Sequence, residues 1–499
     1  MGKSILPLLA GSAVLLAGCD LAPKYVRPAG AVPSTLPQGG AYPAPRADGA
    51  TDIALVGWRD FFTDPRLVGV IETGLANNRD LRVAAANVLQ ARAQYRVQRA
   101  DLFPTATVNG SATYTNNLFG AAGATGGAGA GTGAGTGVGT GGGTGAGGGG
   151  VGGSSSDIQF YSVNAGFSAF ELDLFGRIRN LTRAAQEQYL ASEEAARSAR
   201  ISLIAEIATA WTTMAADQDQ LRIARDTLKT FQETLNLTRA QFRIGVASEL
   251  ESRQAETNYE AARNDVAALT ARIAQDQNAL NLLVGTTVPA EQLPAALGNA
   301  EVTRDALPAD LSSTVLLKRP DVLQAEHRLI AENANIGAAR AAFFPQISLT
   351  GTIGTIGTAL SGLFRSGSYT YTASPAIGLP IFDGGRNRAG LDYARASQQA
   401  AVATYEQTIQ TAFREVADAL AQRGTIVEQL GAQTRRAEAA RVAARLSDAR
   451  YRAGVDSFLT ALDAQRTAYS AELQLATTRL TRANNLIELY RSLGGGLQP

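Results

Sequence analysis

Two residue types are rare enough in these 499 residues to bound the chemistry: Cys19, the only cysteine, and His327, the only histidine. A lone thiol cannot close an intrachain disulfide. A lone imidazole supplies neither a histidine-based metal site nor a Ser-His-Asp triad. The chain is therefore expected to be no enzyme, with no cofactor and no metal. His327 lies in a helical stretch and reads as a packing or surface residue. With 45 basic against 44 acidic residues the net charge is +1, so bulk electrostatics recruit no nucleic acid. Chemistry is left to Cys19 and its surroundings. Lys3 precedes an apolar run from Ile5 to Ala17, closed by Leu16-Ala17-Gly18-Cys19. The run is too short to span a bilayer and ends in small residues, the pattern of a cleaved signal peptide.

A cysteine directly after those small residues resembles the bacterial lipobox, in which cleavage between Gly18 and Cys19 leaves an acylated N-terminal cysteine. Asp20, the next residue, resembles the signal that keeps enteric lipoproteins in the inner membrane. Beyond residue 19 no run of about eighteen apolar residues occurs. A membrane protein without such helices must use a β-barrel.

The elements that would build it are written twice. Asp321 follows Asp80 by 241 residues, as Pro345 follows Pro104, so a helical stretch running from the Asp to the Pro occurs twice. Further on, Gly454 follows Gly245 by 209 residues, as Arg386 follows Arg177. The register slips by 32 residues once, where residues 120–153 are almost entirely Gly, Ala and Thr without a charge. A duplicated unit with one swollen loop accounts for every offset.

Within each unit, residues 64–77 and 79–103 read as helices, and Pro104 stops the second. Period-2 alternation follows over 105–118 and 158–172, and again over 346–358 and 369–382, as in barrel strands with lipid on one face and water on the other. Residues 177–243 form 67 consecutive positions without Pro or Gly, a rod of about 100 Å if helical. Its apolar residues Ile201, Ile204, Ala208, Trp211, Leu221, Ala224, Leu228, Phe231, Leu235 and Phe242 recur in steps of three and four, the spacing of a coiled coil. Ile409, Phe413, Val416, Leu420, Val427 and Leu430 do so in the second unit. After each rod a glycine turn reverses the chain, at 243–248 and 452–457. The returning helix 247–284 and the helix 79–103 together match one rod and are expected to stack end to end. The segments predicted are a signal peptide (1–18), an extended lipidated segment (19–60), repeat 1 (61–285) with a Gly-rich extracellular loop at 119–156, a linker (286–309), repeat 2 (310–494) and a tail (495–499).

Several motifs together resemble the outer-membrane factor family, specifically its NodT-type lipoproteins among TolC- and OprM-like efflux channels. They are Ala22-Pro23-Lys24-Tyr25-Val26-Arg27-Pro28 after the lipobox, Trp58-Arg59-Asp60-Phe61-Phe62-Thr63-Asp64-Pro65, Phe382-Asp383-Gly384-Gly385-Arg386, and Tyr451 to Leu459. The likeness covers about residues 19–494. It implies a mainly α fold with a membrane β-barrel: a homotrimer pooling four strands per chain into a 12-stranded outer-membrane barrel on a 12-helix periplasmic tunnel. It also implies passive conduction, with an inner-membrane pump of RND type and a periplasmic adaptor as partners. The adaptor would dock at the turns, through Arg243, Gly245, Ser248, Arg452, Gly454 and Ser457. Asp448 is the nearest match to an acidic gate residue, and a solvated helix charge is its plain alternative. Two other functions stay open at this stage: the exit duct of a type I protein secretion system, and a structural coiled-coil lipoprotein that conducts nothing.

Overall fold

A computed structural model of the chain describes residues 20–43, 56–115, 158–298, 302–304 and 312–495. Among these, eight α-helices and four strands follow in the order α1 (Trp58–Phe61), α2 (Pro65–Asn77), α3 (Arg79–Ala100), β1 (Ala106–Thr115), β2 (Ile158–Glu171), α4 (Arg177–Arg243), α5 (Glu249–Val284), α6 (Pro320–Ala341), β3 (Gln346–Gly357), β4 (Tyr369–Gly378), α7 (Arg386–Arg452) and α8 (Phe458–Ser492). The duplication holds at the level of elements: α3 and α6 have 22 residues each, and α4 and α7 have 67 each. One expected strand ends early, and the expected end of another lies outside the described residues. β1 is described only to Thr115, and β4 stops at Gly378 rather than reaching residue 382. Pro380 offers no N–H to a ladder, and Ile381 and Phe382 stand almost fully exposed beyond it.

The chain divides into two compact units. The first contains Ala91–Gln188 and Leu329–Ala400 with the N-terminal residues to Val26, and it holds the sheet. The four strands form an antiparallel meander in the order β1-β2-β3-β4, with β2 and β3 paired although they belong to different repeats. Helix packing here uses small residues, Ala184 against Ala331 and Ala334. The N-terminal segment lies along α6: the Asn333 amide donates to the Pro23 carbonyl (2.6 Å) and Arg340 to that of Leu21 (3.0 Å). Gly337 makes room for it, since a Cβ there would come within 2.8 Å of Ala22.

The second unit contains Arg27–Gln90, Tyr189–Arg328 and Ala401–Pro499. The expected seam residues Ile204, Ala208, Trp211, Leu221, Ala224, Phe231, Leu235, Ile409, Val416 and Leu420 are buried. Phe242 and Val427 are exposed instead. A 3.6-residue helix drifts against a fixed heptad over 67 positions, and Ile426 takes the inward place beside Val427. Phe61 stacks on Tyr490 at 4.3 Å, and the Trp211 indole donates to the Gln292 carbonyl (3.0 Å).

The expected end-to-end stacking occurs, and it has a specific joint. The Asn78 amide, just ahead of α3, donates to the Leu283 carbonyl at the end of α5 (2.8 Å). Gly285 caps α5 with φ +77°, and a Cβ on it would lie 2.6 Å from the Asn77 oxygen. In the second repeat Arg319, just ahead of α6, donates to the Ser492 carbonyl at the end of α8 (2.6 Å). Each joint supplies a donor to a carbonyl that the helix terminus leaves unpaired.

Candidate functional site

Two regions carry the sequence-predicted function: the sheet and the helical turns. In the sheet, cross-strand register sorts the side chains. One face aligns Val108 with Ala165, Ala165 with Ile353 and Ile353 with Tyr371. The other aligns Asn109 with Asn164, Ser111 with Ser162, Thr352 with Thr372 and Thr350 with Ser374. Phe160 and Ile356 are apolar exceptions on this polar face. The Ser111 and Ser162 hydroxyls lie 2.8 Å apart across it. The apolar face is bare in one chain, with Val108, Tyr371 and Ile377 exposed.

Near the β1–β2 and β3–β4 loop ends lie two aromatic pairs, Tyr114 with Tyr161 and Tyr369 with Tyr371, the Tyr114 and Tyr161 hydroxyls 3.1 Å apart. At the strands' other ends Phe103, Leu172, Leu174, Phe343 and Phe344 are exposed. An apolar band between two such girdles is the outer profile of a membrane barrel. A bulge in β2 protects this segregation. Between the pairs Phe167–Gly351 and Phe170–Leu349, Ser168 and Ala169 stand against Thr350 alone. The extra residue shifts parity, so Phe167 and Phe170 share the apolar face. Ala169 takes φ +50° there, and its N–H donates to the Thr350 hydroxyl (3.0 Å).

Among the described residues the sheet is open at both sides: β1 pairs only with β2, and β4 only with β3. Four strands cannot close a barrel, which needs about eight. Edge groups left in hydrocarbon would cost several kcal/mol each.

Both turns are built on one plan. Gly245 (φ +78°) and Gly454 (φ +74°) adopt the left-handed conformation that ends a helix. The Val246 N–H bonds the Gln241 carbonyl and that of Val455 the Arg450 carbonyl, both at 2.9 Å, the six-to-one bond of a Schellman motif. Arg243 and Arg452 are the last residues of α4 and α7, and Ser248 and Ser457 are the N-caps of α5 and α8. The Tyr451 hydroxyl donates to Gln241 (2.7 Å), tying the two turns together. Leu235, Ala255, Phe458 and Leu462 close a small core beneath them. Outward, Ile244, Val246, Leu250, Val455 and Leu459 are exposed. Asp448 pairs with Arg452 one turn on, at 2.8 Å.

Gly18, Cys19 and the Gly-rich loop lie outside the described residues. Asp20 is the first one described, and its carboxylate accepts from the Ala22 N–H and the Asn180 amide, both at 3.0 Å. Those bonds outweigh desolvation and hold its pKa below the usual carboxylate value. Sequence reading missed the seat of the N-terminal segment and the charged joint at Arg319. Gly337 and Gly424, both inside helices, are the signal that was available: each is a position where the segment's backbone passes too closely for a Cβ.

The sequence model of the outer membrane efflux protein family matches residues 70–286 and 311–495, the two repeats. The chain is 45% identical over 497 residues to the toluene efflux pump outer membrane protein TtgC of Pseudomonas putida, covering 99% of this chain and 96% of that protein. It is 39% identical over 489 residues to the cation efflux system protein CusC of Escherichia coli, covering 97% and 98%. Among solved structures, the open state of the MtrE outer membrane channel of Neisseria gonorrhoeae superposes with a TM-score of 0.81 at 37% identity, covering 96% of this chain and 99% of that one.

Proposed function

The chain belongs to the outer membrane efflux protein family, and from that premise we propose that it is the passive outer-membrane exit channel of a tripartite efflux system. The observation that carries this reading is the sheet: one apolar face, one polar face and two open edges. Three copies meeting edge to edge make a twelve-stranded barrel, apolar outward and polar inward. Each copy adds α4, α7 and the stacked pairs α5–α3 and α8–α6, so three copies line a tunnel with twelve helical rods. A non-conducting coiled-coil lipoprotein has no use for such a sheet. The efflux names of the relatives favour efflux over type I protein secretion.

Energy for transport comes from an inner-membrane pump of RND type through a periplasmic adaptor. The adaptor docks on the turns, where Arg243, Gly245, Ser248, Arg452, Gly454 and Ser457 fix the backbone. The exposed Ile244, Val246, Leu250, Val455 and Leu459 give it an apolar surface to cover. Asp448 belongs to the periplasmic constriction, with Arg452 neutralising it until the tip rearranges. Cys19, freed by cleavage after Gly18, carries the acyl anchor in outer-membrane lipid. One preparation tests both parts. In planar bilayers the purified chain should give discrete conductance steps, and silence would overturn the channel reading. Cys19→Ser should abolish fatty-acid labelling while the steps persist, and labelling that survives would overturn the anchor.

A further inference from the structure

The α4–α5 hairpin of repeat 1 holds two acids where repeat 2 holds none. Asp217 of α4 is 3% exposed, and half-buried Asp276 of α5 faces it, with one carboxylate oxygen shielded from water and without a hydrogen-bond partner. The equivalent positions 209 residues on are Ile426 and Asn485, both buried, and the Asn485 amide donates to the Ala419 carbonyl (2.8 Å). One turn along the same seam, Leu221, Ala224 and Leu269 pack with Val266 and Ile273. An apolar contact therefore ends in two carboxyl groups, an arrangement stable only if they share a proton.

The surrounding charges do not remove that need. On α5, Arg272 approaches Asp217 only to 3.9 Å and is itself largely exposed. On α4, Gln220 reaches Asp217 at 3.3 Å, and Asp219 is occupied by the N–H groups of Leu297 and Gly298 (3.1 and 2.8 Å). From α8, Arg479 and Arg482 line a cavity with Leu297 and Gly298, on the Asp219 side. On α2, which packs on α5, Glu72 is paired with Arg59 at 2.9 Å. We propose that Asp217 and Asp276 form a shared-proton latch that closes the α4–α5 seam in acid and loosens it at neutral pH, a response that the second hairpin lacks.

Burial, reinforced by the neighbouring Asp217, pushes Asp276 up to about 6. Burial also raises Asp217, against the opposing pull of Arg272. A carboxyl raised in the folded state contributes stability that is present at low pH and lost as pH rises through its folded value. The window therefore runs from about pH 4, near the ordinary carboxylate value, to just above pH 6. The test is hydrogen exchange of residues 266–280 in the full chain, corrected for the intrinsic pH dependence of exchange. In the wild type, protection should fall about tenfold between pH 4 and 7, well under what the full rise in pKa would give, because Asp276 is half exposed to screening solvent. Asp276→Asn, whose amide still donates to Asp217, should stay protected at both pH values. Arg272→Gln should move the midpoint upward, since it removes the cation favouring ionisation. A wild-type pH profile in Asp276→Asn, low protection of that variant at both pH values, or an unmoved midpoint in Arg272→Gln would each overturn the latch.

Discussion

Asn78 and Arg319 hold the same place in the two repeats, and they solve one problem with different chemistry. Each stands before a helix and donates to a carbonyl in the last turn of the helix stacked on it, Leu283 in one case and Ser492 in the other. Asn78 does so as a neutral side chain whose oxygen also caps α3 through the Leu81 N–H (2.9 Å). Arg319, 6% exposed, brings a charge that must be matched. Asp321 takes two of its N–H groups at 3.0 and 2.7 Å, and Glu415 of α7 accepts at 2.8 Å. The duplication thus preserved the joint's geometry while letting its electrostatics diverge. The neutral joint ties two helices, whereas the charged one also engages α7.

The largest effect should come from breaking the charged joint. Arg319→Ala leaves Asp321, Glu415 and the Ser492 carbonyl without their donor. Removing one partner of a buried ion pair typically costs about 3–5 kcal/mol, and Arg491, 3.6 Å from Glu415, offsets a part. Asn78→Ala loses a neutral hydrogen bond and a cap, together about 1–2 kcal/mol. Denaturant midpoints of the two variants measure the difference. Equal losses would show that the charge adds nothing to the joint.

How far the sequence revealed these features depends on their range. The 67-residue helices, their glycine turns and the paired strands were readable because each rests on local pattern: unbroken helical composition, period-2 alternation and offsets of 209 or 241 residues. The β2–β3 pairing and the bulge that places Phe170 were not readable, since register across repeats depends on partners about 180 residues away. Arg319 was invisible for the same reason. An arginine before a proline looks like any solvated charge until Glu415 and Ser492 are seen beside it. Val427 misled because a strict heptad ignores the drift of a straight helix, which brings Ile426 inward instead.

At the turns the comparison can be sharpened by Gly454→Val. The space around the position is open, with no atom within 4 Å of a Cβ, so the cost is in the backbone. A side chain in the left-handed region costs about 1–2 kcal/mol, and a β-branched one more. That is enough to remodel an exposed turn without unfolding a barrel. Trimers on a gel should remain heat-resistant while cells regain substrate susceptibility. Gly454→Asn should be milder, because Asn tolerates this conformation. Normal efflux in Gly454→Val would remove the turn from the functional surface, and lost trimers would make it a folding element.

The smallest effects should separate the two turns from each other. Ser248 caps α5 in a full capping box: its hydroxyl accepts from the Glu251 N–H (3.3 Å), and the Glu251 carboxylate accepts from the Ser248 N–H (2.8 Å). Ser457 also caps, accepting from the Thr460 N–H (3.2 Å), but Thr460 cannot return the bond in the way a glutamate does. In exchange, the second turn is bridged by Arg450 to Asp456 at 2.7 and 2.8 Å. The hydrogen bonds from Arg450 hold Asp456 below its ordinary carboxylate value. A carboxyl lowered in the folded state supports the fold above the unfolded value and fails only as pH falls through the lower one, so this bridge should be constant between pH 5 and 8. Ser248→Ala should then cost about 1 kcal/mol and fray the start of α5, whereas Ser457→Ala should fray α8 less while Asp456 stays in place. Hydrogen exchange at residues 249–253 and 458–462 resolves the two helix starts separately. Asp456→Asn combined with Ser457→Ala should bring the second turn down to the level of the first with its box removed. If the double variant frays no more than Ser457→Ala alone, the ion pair is an idle surface contact, and the two turns are held by their glycines and caps.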